Sequence, residues 1–139
     1  MHDLSFEKIT ERLKNFVLPK VDLVVGIAEG GLVPASLVAY QLGCELSTIK
    51  INYRDETNTP RFDSPRVFSN GQHFHDKKIL IVDDVSVTGK TLEIAKTLFE
   101  GNEVHTCAMK GKADYVLFPE ISECVNWPWK IQKTVQEKV

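Results

Sequence analysis

Cysteine is scarce in this chain of 139 residues, and its three cysteines, Cys44, Cys107 and Cys124, are far apart with no C-x-x-C spacing. The spacing supports neither a zinc site nor a disulfide framework, so we expect reduced thiols and a cytoplasmic protein. No apolar run approaches the ~20 residues that a membrane-spanning helix needs. Charged side chains interrupt the first twenty residues, so no apolar segment typical of a secretory signal occurs there.

An excess of charge of either sign is also missing, because 17 basic side chains face 19 acidic ones and the formal net charge is -2. This balance gives no global attraction to nucleic acid or to an anionic membrane, and neither is expected as a partner. Apolar residues make up 42% and charged residues 26%, as in ordinary globular proteins. The length suits one core, and we predict a single domain over residues 1–139.

Hydrophobic patterning predicts strands that alternate with helices along most of the chain. The spacing of Phe6, Ile9, Leu13 and Phe16 indicates an amphipathic helix of about three turns, which Pro19 ends. The other predicted elements are a strand at 21–27, a helix at 32–43, a strand at 45–53, a hairpin at 66–78 with a turn at 70–71, a strand at 78–84, a helix at 89–101, a strand at 102–109 and short strands in the tail. This alternation favours an α/β fold: a central, mainly parallel sheet flanked by helices.

The most informative segment is ILIVDDVSVTGKTL, residues 79–92. Four apolar residues predict a strand buried on both faces, and Asp83 and Asp84 follow where it ends. A short loop then leads through Thr88 and Gly89 into a helix, whose N-terminus favours an anion. The carboxylates suit sugar hydroxyls or a metal and the loop suits a phosphate, so a sugar phosphate satisfies both.

Three other interpretations of this segment are open. The letters TGKT resemble a nucleotide-triphosphate P-loop, but that pattern needs glycine five residues before Gly89, where Asp84 stands. A phospho-acceptor receiver domain also uses an acidic pair, normally earlier in its chain. Finally, the two acids could simply cap the following turn, although adjacent carboxylates disfavour each other's ionisation.

Two further segments invite a functional reading. Residues 54–66 are polar, contain two prolines and lack periodicity, which is typical of a functional loop; we predict a mobile lid there, with Arg54 and Arg61 able to meet phosphate groups. His73 and His75 have strand-alternating spacing, but no third metal ligand is placed beside them, and we expect exposed hairpin residues.

The segment 79–92 resembles the phosphoribosyl-pyrophosphate motif of the type I phosphoribosyltransferases. A second segment, VVGIAEGGLVPASLVAYQLG at 24–43, is similar to the pyrophosphate loop and helix of the small hypoxanthine, guanine and xanthine enzymes. The resemblance covers about residues 20–118. It implies a magnesium-dependent homo-oligomer, a dimer or tetramer, that transfers phosphoribosyl from phosphoribosyl pyrophosphate to a nucleobase and releases pyrophosphate and a nucleoside monophosphate. The expected acceptor is a 6-oxopurine: xanthine, guanine or hypoxanthine.

The resemblance also assigns roles to individual residues. Asp83 and Asp84 would hold the ribose hydroxyls, directly or through Mg²⁺. The 5′-phosphate would be wrapped by Val87, Thr88, Gly89, Lys90 and Thr91. Pyrophosphate would be cradled by Ala28, Glu29, Gly30 and Gly31, with a cis peptide between the first two. A small hood from about 1–20 and 112–139 would contact the base, through Lys110 beside it and through Val125 and Trp127.

The sequence departs from the family pattern in three places. Val87 stands where many purine-specific relatives carry an aspartate that handles a ring proton, and valine cannot act as a base. Glu29 stands where those enzymes usually place lysine or arginine beside pyrophosphate. Cys124 falls where an aromatic side chain normally stacks on the base. A non-catalytic phosphoribosyl-pyrophosphate sensor or regulatory protein is therefore the alternative.

Overall fold

A six-stranded sheet organises the protein; the computed structural model describes residues 1–52, 66–69 and 74–130. The strands of this sheet are β2 (Leu23–Ala28), β3 (Glu45–Asn52), β4 (Arg66–Ser69), β5 (Lys78–Ser86), β6 (Glu103–Gly111) and β7 (Tyr115–Val116), and the helices are α1 (Phe6–Lys14), α2 (Leu32–Leu42) and α3 (Lys90–Thr97). The strands lie in the sheet in the order β4-β3-β2-β5-β6-β7. All neighbouring strands run parallel except the edge strand β4, which pairs antiparallel with β3.

Helices cover both faces of the sheet, as predicted. Side chains alternate along a strand, so Leu80 and Val82 pack with α1 and α2 on one face. Ile79 and Ile81 pack with Leu92 and other residues of α3 on the opposite face. All four of these β5 side chains are fully buried, which accounts for the continuous apolar run in the sequence. The predicted α/β fold is therefore confirmed.

A second, two-stranded sheet joins the two ends of the described chain. Strand β1 (His2–Asp3) pairs in parallel with β8 (Val125–Asn126). Nearby, Arg12 of α1 donates hydrogen bonds to the Leu117 carbonyl and to Glu120 Oε2, the latter at 2.6 Å. Its guanidinium also lies 4.4 Å from the centre of the Phe118 ring. These contacts join α1 to residues 117–120, so the two segments predicted to form the hood touch each other, and the hood itself stays a prediction.

The element boundaries differ from the predictions in two informative places. Helix α1 ends at Lys14, well before Pro19, because the Asn15 N–H donates to the Arg12 carbonyl and the Phe16 N–H donates to the Leu13 carbonyl, and these two bonds close its last turn. Strand β5 continues to Ser86 instead of ending at the acid pair, because β6 continues beside it and pairs Lys110 with Val85. The predicted turn at 70–71 lies outside the described residues.

No helix in the described ranges is long and apolar enough to cross a membrane.

Candidate functional site

Two loops meet at the carboxyl edge of the sheet, where open α/β sheets bind their ligands. The loop after β2 begins with a cis peptide between Ala28 and Glu29, as expected. Its glycines then pass directly over the end of β5: a Cβ built on Gly30 would lie 2.6 Å from Asp84 Oδ2. A Cβ on Gly31 would lie 2.7 Å from the Val82 carbonyl oxygen. Only glycine permits this approach, which brings the expected pyrophosphate loop against the acid pair.

The acid pair is part of strand β5, so its backbone is fixed by the sheet. Each carboxylate accepts a hydrogen bond from the following N–H: Asp84 N donates to Asp83 Oδ1 at 2.8 Å, and Val85 N donates to Asp84 Oδ1 at 2.7 Å. Burial, reinforced by the negative charge of Asp84, raises the pKa of Asp83 to about 8. The two acids thus resist being ionised together in this half-buried place, and a cation there would favour their charged forms.

The expected phosphate loop forms a cleft of about 360 Å³ lined by residues 85–91. Gly89 is the N-cap of α3, and its carbonyl accepts the first helical hydrogen bond, from Glu93 N. The Thr88 hydroxyl oxygen accepts a hydrogen bond from Lys90 N at 3.2 Å, which fixes the turn. Val87 is 75% exposed, so its side chain contributes little to packing. The loop and the helix N-terminus therefore surround one small volume, and the acid pair comes immediately before it in β5.

Glu29 does not stand alone beside the pyrophosphate loop. Lys50 lies opposite Ala28 in the parallel register of β2 and β3. Its Nζ is 3.4 Å from Glu29 Oε1, and both side chains are substantially exposed. The acid that departs from the family pattern is thus paired with a lysine from the neighbouring strand.

The three residues expected to contact the base, Lys110, Val125 and Trp127, do not all face the site. Lys110 lies at the carboxyl end of β6, on the same sheet edge as the acid pair. Val125 lies in β8, half-buried against the core. Trp127 is only 2% exposed and stacks on Trp129, with 5.0 Å between ring centres. In this arrangement Trp127 cannot offer a face to a base, because the core and Trp129 cover it.

Two lysines near the site were not singled out from the sequence. Lys130 follows Trp129, and its Nζ lies 3.8 Å from Asp84 Oδ2. Lys50 has the partner described above. Neither lysine is marked by its local sequence. The register of β3 brings Lys50 to Glu29, and the fold of the tail brings Lys130 to Asp84. The predicted lid residues Arg54 and Arg61, and His73, lie outside the described residues; His75 is exposed as expected.

Comparison with known proteins identifies the family. The family model of the phosphoribosyl transferase domain matches residues 3–136. The chain belongs to the phosphoribosyltransferase family. A curated relative, the xanthine-guanine phosphoribosyltransferase of Cereibacter sphaeroides, is 38% identical over 110 residues, covering 76% of this chain and 64% of the relative.

A different class of relative matches equally clearly. The transcriptional regulator GfcR of Methanocella arvoryzae is 36% identical over 94 residues, which cover 66% of this chain. Those residues are 45% of the regulator, so this phosphoribosyltransferase domain spans less than half the length of that relative.

Solved structures agree on the fold. A purine phosphoribosyltransferase from Pyrococcus horikoshii superposes with a TM-score of 0.72 and 25% identity, covering 94% of each chain. The xanthine-guanine-hypoxanthine phosphoribosyltransferase of Helicobacter pylori reaches a TM-score of 0.78 over 99% of each chain, at 16% identity. At that identity the second likeness shows the fold alone.

Proposed function

We propose that this protein is a magnesium-dependent phosphoribosyltransferase that joins a 6-oxopurine to phosphoribosyl pyrophosphate. The products are pyrophosphate and a nucleoside monophosphate. The observation that carries the proposal is the contact between Gly30 and the Asp84 carboxylate. It sets a glycine-rich loop against an acid pair, and the cleft at residues 85–91 follows directly in the chain; one phosphorylated ribose with a pyrophosphate group requires three such subsites.

Each subsite has its own residues and its own role in the reaction. Asp83 and Asp84 accept hydrogen bonds from the ribose 2′- and 3′-hydroxyls. Residues 87–91 hold the 5′-phosphate through backbone N–H groups at the start of α3. Breaking the anomeric C–O bond leaves positive charge on the sugar and negative charge on the departing pyrophosphate. Ala28, Glu29, Gly30 and Gly31 form the loop at which that leaving group is held, and its backbone dipoles oppose the negative charge.

The donor set suits Mg²⁺. Among the described residues, no group of three or more His, Cys, Asp or Glu side chains lies close enough to form a complete protein site. Magnesium usually takes only one or two carboxylates and completes its shell with water and substrate phosphates. Asp83 and Asp84 are hard oxygen ligands with concentrated charge, and would hold the ion through one or both carboxylates. When bound, the ion would neutralise charge on the leaving pyrophosphate.

The choice of a 6-oxopurine rests on Lys110 and on relatives. An ammonium group can donate to an exocyclic oxygen, and Lys110 is placed on the edge of the sheet that carries the acid pair. The Cereibacter sphaeroides and Pyrococcus horikoshii proteins are named as purine enzymes. Val125 would supply a backbone contact from the hood. The free thiols of Cys44, Cys107 and Cys124 are consistent with the cytoplasmic location that we also propose, together with a dimer or tetramer.

Release of pyrophosphate tests the function. Purified protein should release pyrophosphate from phosphoribosyl pyrophosphate and Mg²⁺ only when a base is added, with xanthine, guanine or hypoxanthine the most active of a purine and pyrimidine panel. Asp84→Asn and Thr88→Val should each weaken phosphoribosyl-pyrophosphate binding strongly in calorimetry. Binding equal to that of the parent in both variants would contradict the site assignment.

A second function is favoured by Val87 and by the regulator relatives. The exposed valine leaves the position of the usual proton acceptor without a base, and the Methanocella arvoryzae relative is named a transcriptional regulator. A non-catalytic phosphoribosyl-pyrophosphate sensor would bind the ligand with Mg²⁺ and release no pyrophosphate with any base. The same assay therefore separates the two functions.

A further inference from the structure

We propose that Lys50 is a cation of the pyrophosphate subsite, supplied by strand β3 where the loop itself carries Glu29 instead of a basic residue. Glu29 holds this lysine at the loop when no ligand is present. The inference rests on the proposed function, because it assigns a further residue to the pyrophosphate subsite of that reaction.

The position of Lys50 follows from the sheet. Strand β2 lies between β3 and β5, and its last residue, Ala28, is in register with Lys50. The loop that begins at Ala28 therefore has β3 on one side and the acid pair of β5 on the other. Ile49 and Ile51 are buried in the core beneath the sheet, and side chains alternate along a strand. Lys50 consequently points to the other face, where its Nζ reaches Glu29 Oε1 at 3.4 Å.

Charge makes a cation necessary at this loop. Pyrophosphate is strongly anionic, and Glu29, Asp83 and Asp84 already place three acids around its expected position. Glu29 has a side chain 83% exposed, so nothing in the protein interior shields it from an incoming anion. An unpaired carboxylate there would repel the ligand, whereas the lysine beside it cancels that repulsion and adds up to three N–H donors. A pair this exposed contributes little to stability, so its ammonium can shift from the carboxylate to a phosphate oxygen.

Calorimetry with two ligands isolates this role. Pyrophosphate with Mg²⁺ probes the pyrophosphate subsite, and ribose 5-phosphate probes the acid pair and the phosphate loop. Lys50→Met should weaken pyrophosphate binding roughly 10-fold or more, the loss typical of a charged hydrogen-bond partner, and leave ribose 5-phosphate binding unchanged. Lys50→Arg should retain most of the pyrophosphate affinity. Glu29→Gln should tighten pyrophosphate binding, because it removes a repelling charge and releases the lysine.

Lys78→Met is the matched control, because Lys78 is an exposed lysine at the opposite end of the sheet, where β5 begins. It should bind both ligands like the parent. Equal pyrophosphate affinity in Lys50→Met and the parent would overturn the inference and leave the proposed function intact. The inference would also be overturned if Glu29→Gln lost as much pyrophosphate affinity as Lys50→Met. The same holds if Lys50→Met lost ribose 5-phosphate affinity in parallel. Either result would mean that the ion pair only stabilises the loop. A parent protein that binds neither ligand would refute the proposed function, and the inference with it.

Discussion

The strongest electrostatic perturbation at a single residue in the site is that of Asp83. Asp83 follows four buried residues of strand β5, and a second carboxylate comes immediately after it. Burial and the Asp84 charge raise its pKa from 3.8 to about 8. A site that stores unfavourable charge in this way is typical of a functional position, because a capping role alone would need no second acid.

The Asp83 pKa predicts how stability changes with pH in the absence of ligand and metal. Between pH 4 and 8 the folded protein keeps a proton on Asp83 that the unfolded chain releases, so the free energy of unfolding should fall as pH rises through this range. In Asp83→Asn the side chain cannot ionise, so the free energy of unfolding should fall less steeply with pH. The variant should therefore be more stable than the parent at pH 8. Denaturant unfolding at pH 5 to 9 measures both slopes. Glu93→Gln, an exposed acid on α3, is the control, and a parent slope no steeper than that of Asp83→Asn would contradict the prediction.

Val87 yields a prediction about catalysis. Without a base at position 87, the purine must arrive partly as its anion or lose its proton to water, so xanthine, the more acidic base, should be preferred to hypoxanthine. The exposed side chain leaves room for a carboxylate. Val87→Asp should raise kcat/KM for hypoxanthine or guanine more than for xanthine, by up to ~10²-fold if the new acid acts as a general base. Unchanged phosphoribosyl-pyrophosphate affinity is the necessary control. If that affinity is kept and neither form turns over any base, the sensor is the correct function.

Single residues were predictable where local chemistry marks them. The acid pair, the glycines of the expected pyrophosphate loop and the Thr-Gly turn carry signatures in the sequence itself. Trp127 and Lys50 carry no such signature. The sequence of the tail predicted a stacking role for Trp127, but its ring is buried in the core. The position of Lys50 depends on pairing between strands that are separated by a helix, and this register is not readable from residues 45–53 alone.

At the level of elements, the end of β5 depends on β6. Lys112 N donates to the Ser86 carbonyl, and Gly111, at φ 107°, lies against that same carbonyl. A Cβ on Gly111 would be only 2.0 Å from Ser86 O. The contact fixes the point at which β5 turns into the phosphate loop, which explains why the strand runs past the acids.

Gly111→Ala should therefore damage both stability and the phosphate subsite. The side chain meets a backbone oxygen and the backbone has a φ that other residues avoid, so we expect a cost of about 3 kcal/mol or more in the free energy of unfolding. Gly43→Ala is the matched control, because Gly43 also has positive φ, 67°, but nothing within 4 Å of an added Cβ. It should cost only ~1–2 kcal/mol, the usual penalty of a side chain in the left-handed region. Chemical denaturation and ribose 5-phosphate titration check the pair; equal costs would show that the Ser86 contact is unimportant.

Element types followed from periodicity and their ends did not. The continuous apolar run of β5 and the helical length of the α2 segment closed by Gly43 both predicted what the structure has. The end of α1 depended on a local backbone turn at Asn15, and the length of β5 on a distant partner strand. The end of β5 is set by a tertiary contact, which a local pattern cannot show. The end of α1 is local but comes before Pro19, so the proline was a misleading stop signal.

At the level of the whole molecule, the two ends of the described chain meet on one side of the sheet. His2 and Asp3 pair with Val125 and Asn126, and Arg12 ties α1 to the segment before them. The same segment continues to Lys130, whose ammonium lies near Asp84. The N-terminal helix thus supports, from outside the site, the part of the chain that we expect to face the base.

This arrangement predicts a selective effect of Arg12→Ala. The variant loses hydrogen bonds to the Leu117 carbonyl and Glu120 as well as the contact with the Phe118 ring, so we expect a loss of about 1–2 kcal/mol in the free energy of unfolding. The loosened segment should weaken binding of a purine nucleoside monophosphate, because the base of that ligand is expected to contact the hood. It should not affect ribose 5-phosphate, which has no base and binds only at the carboxyl edge of the sheet. Lys14→Ala, an exposed lysine on the same helix, should change neither. Calorimetry with both ligands, on protein shown to be folded by circular dichroism, decides the matter. A parallel loss of affinity for both ligands would mean that Arg12 supports the whole fold. Unchanged affinity for both would mean that the contact between the terminal segments has no part in binding the base.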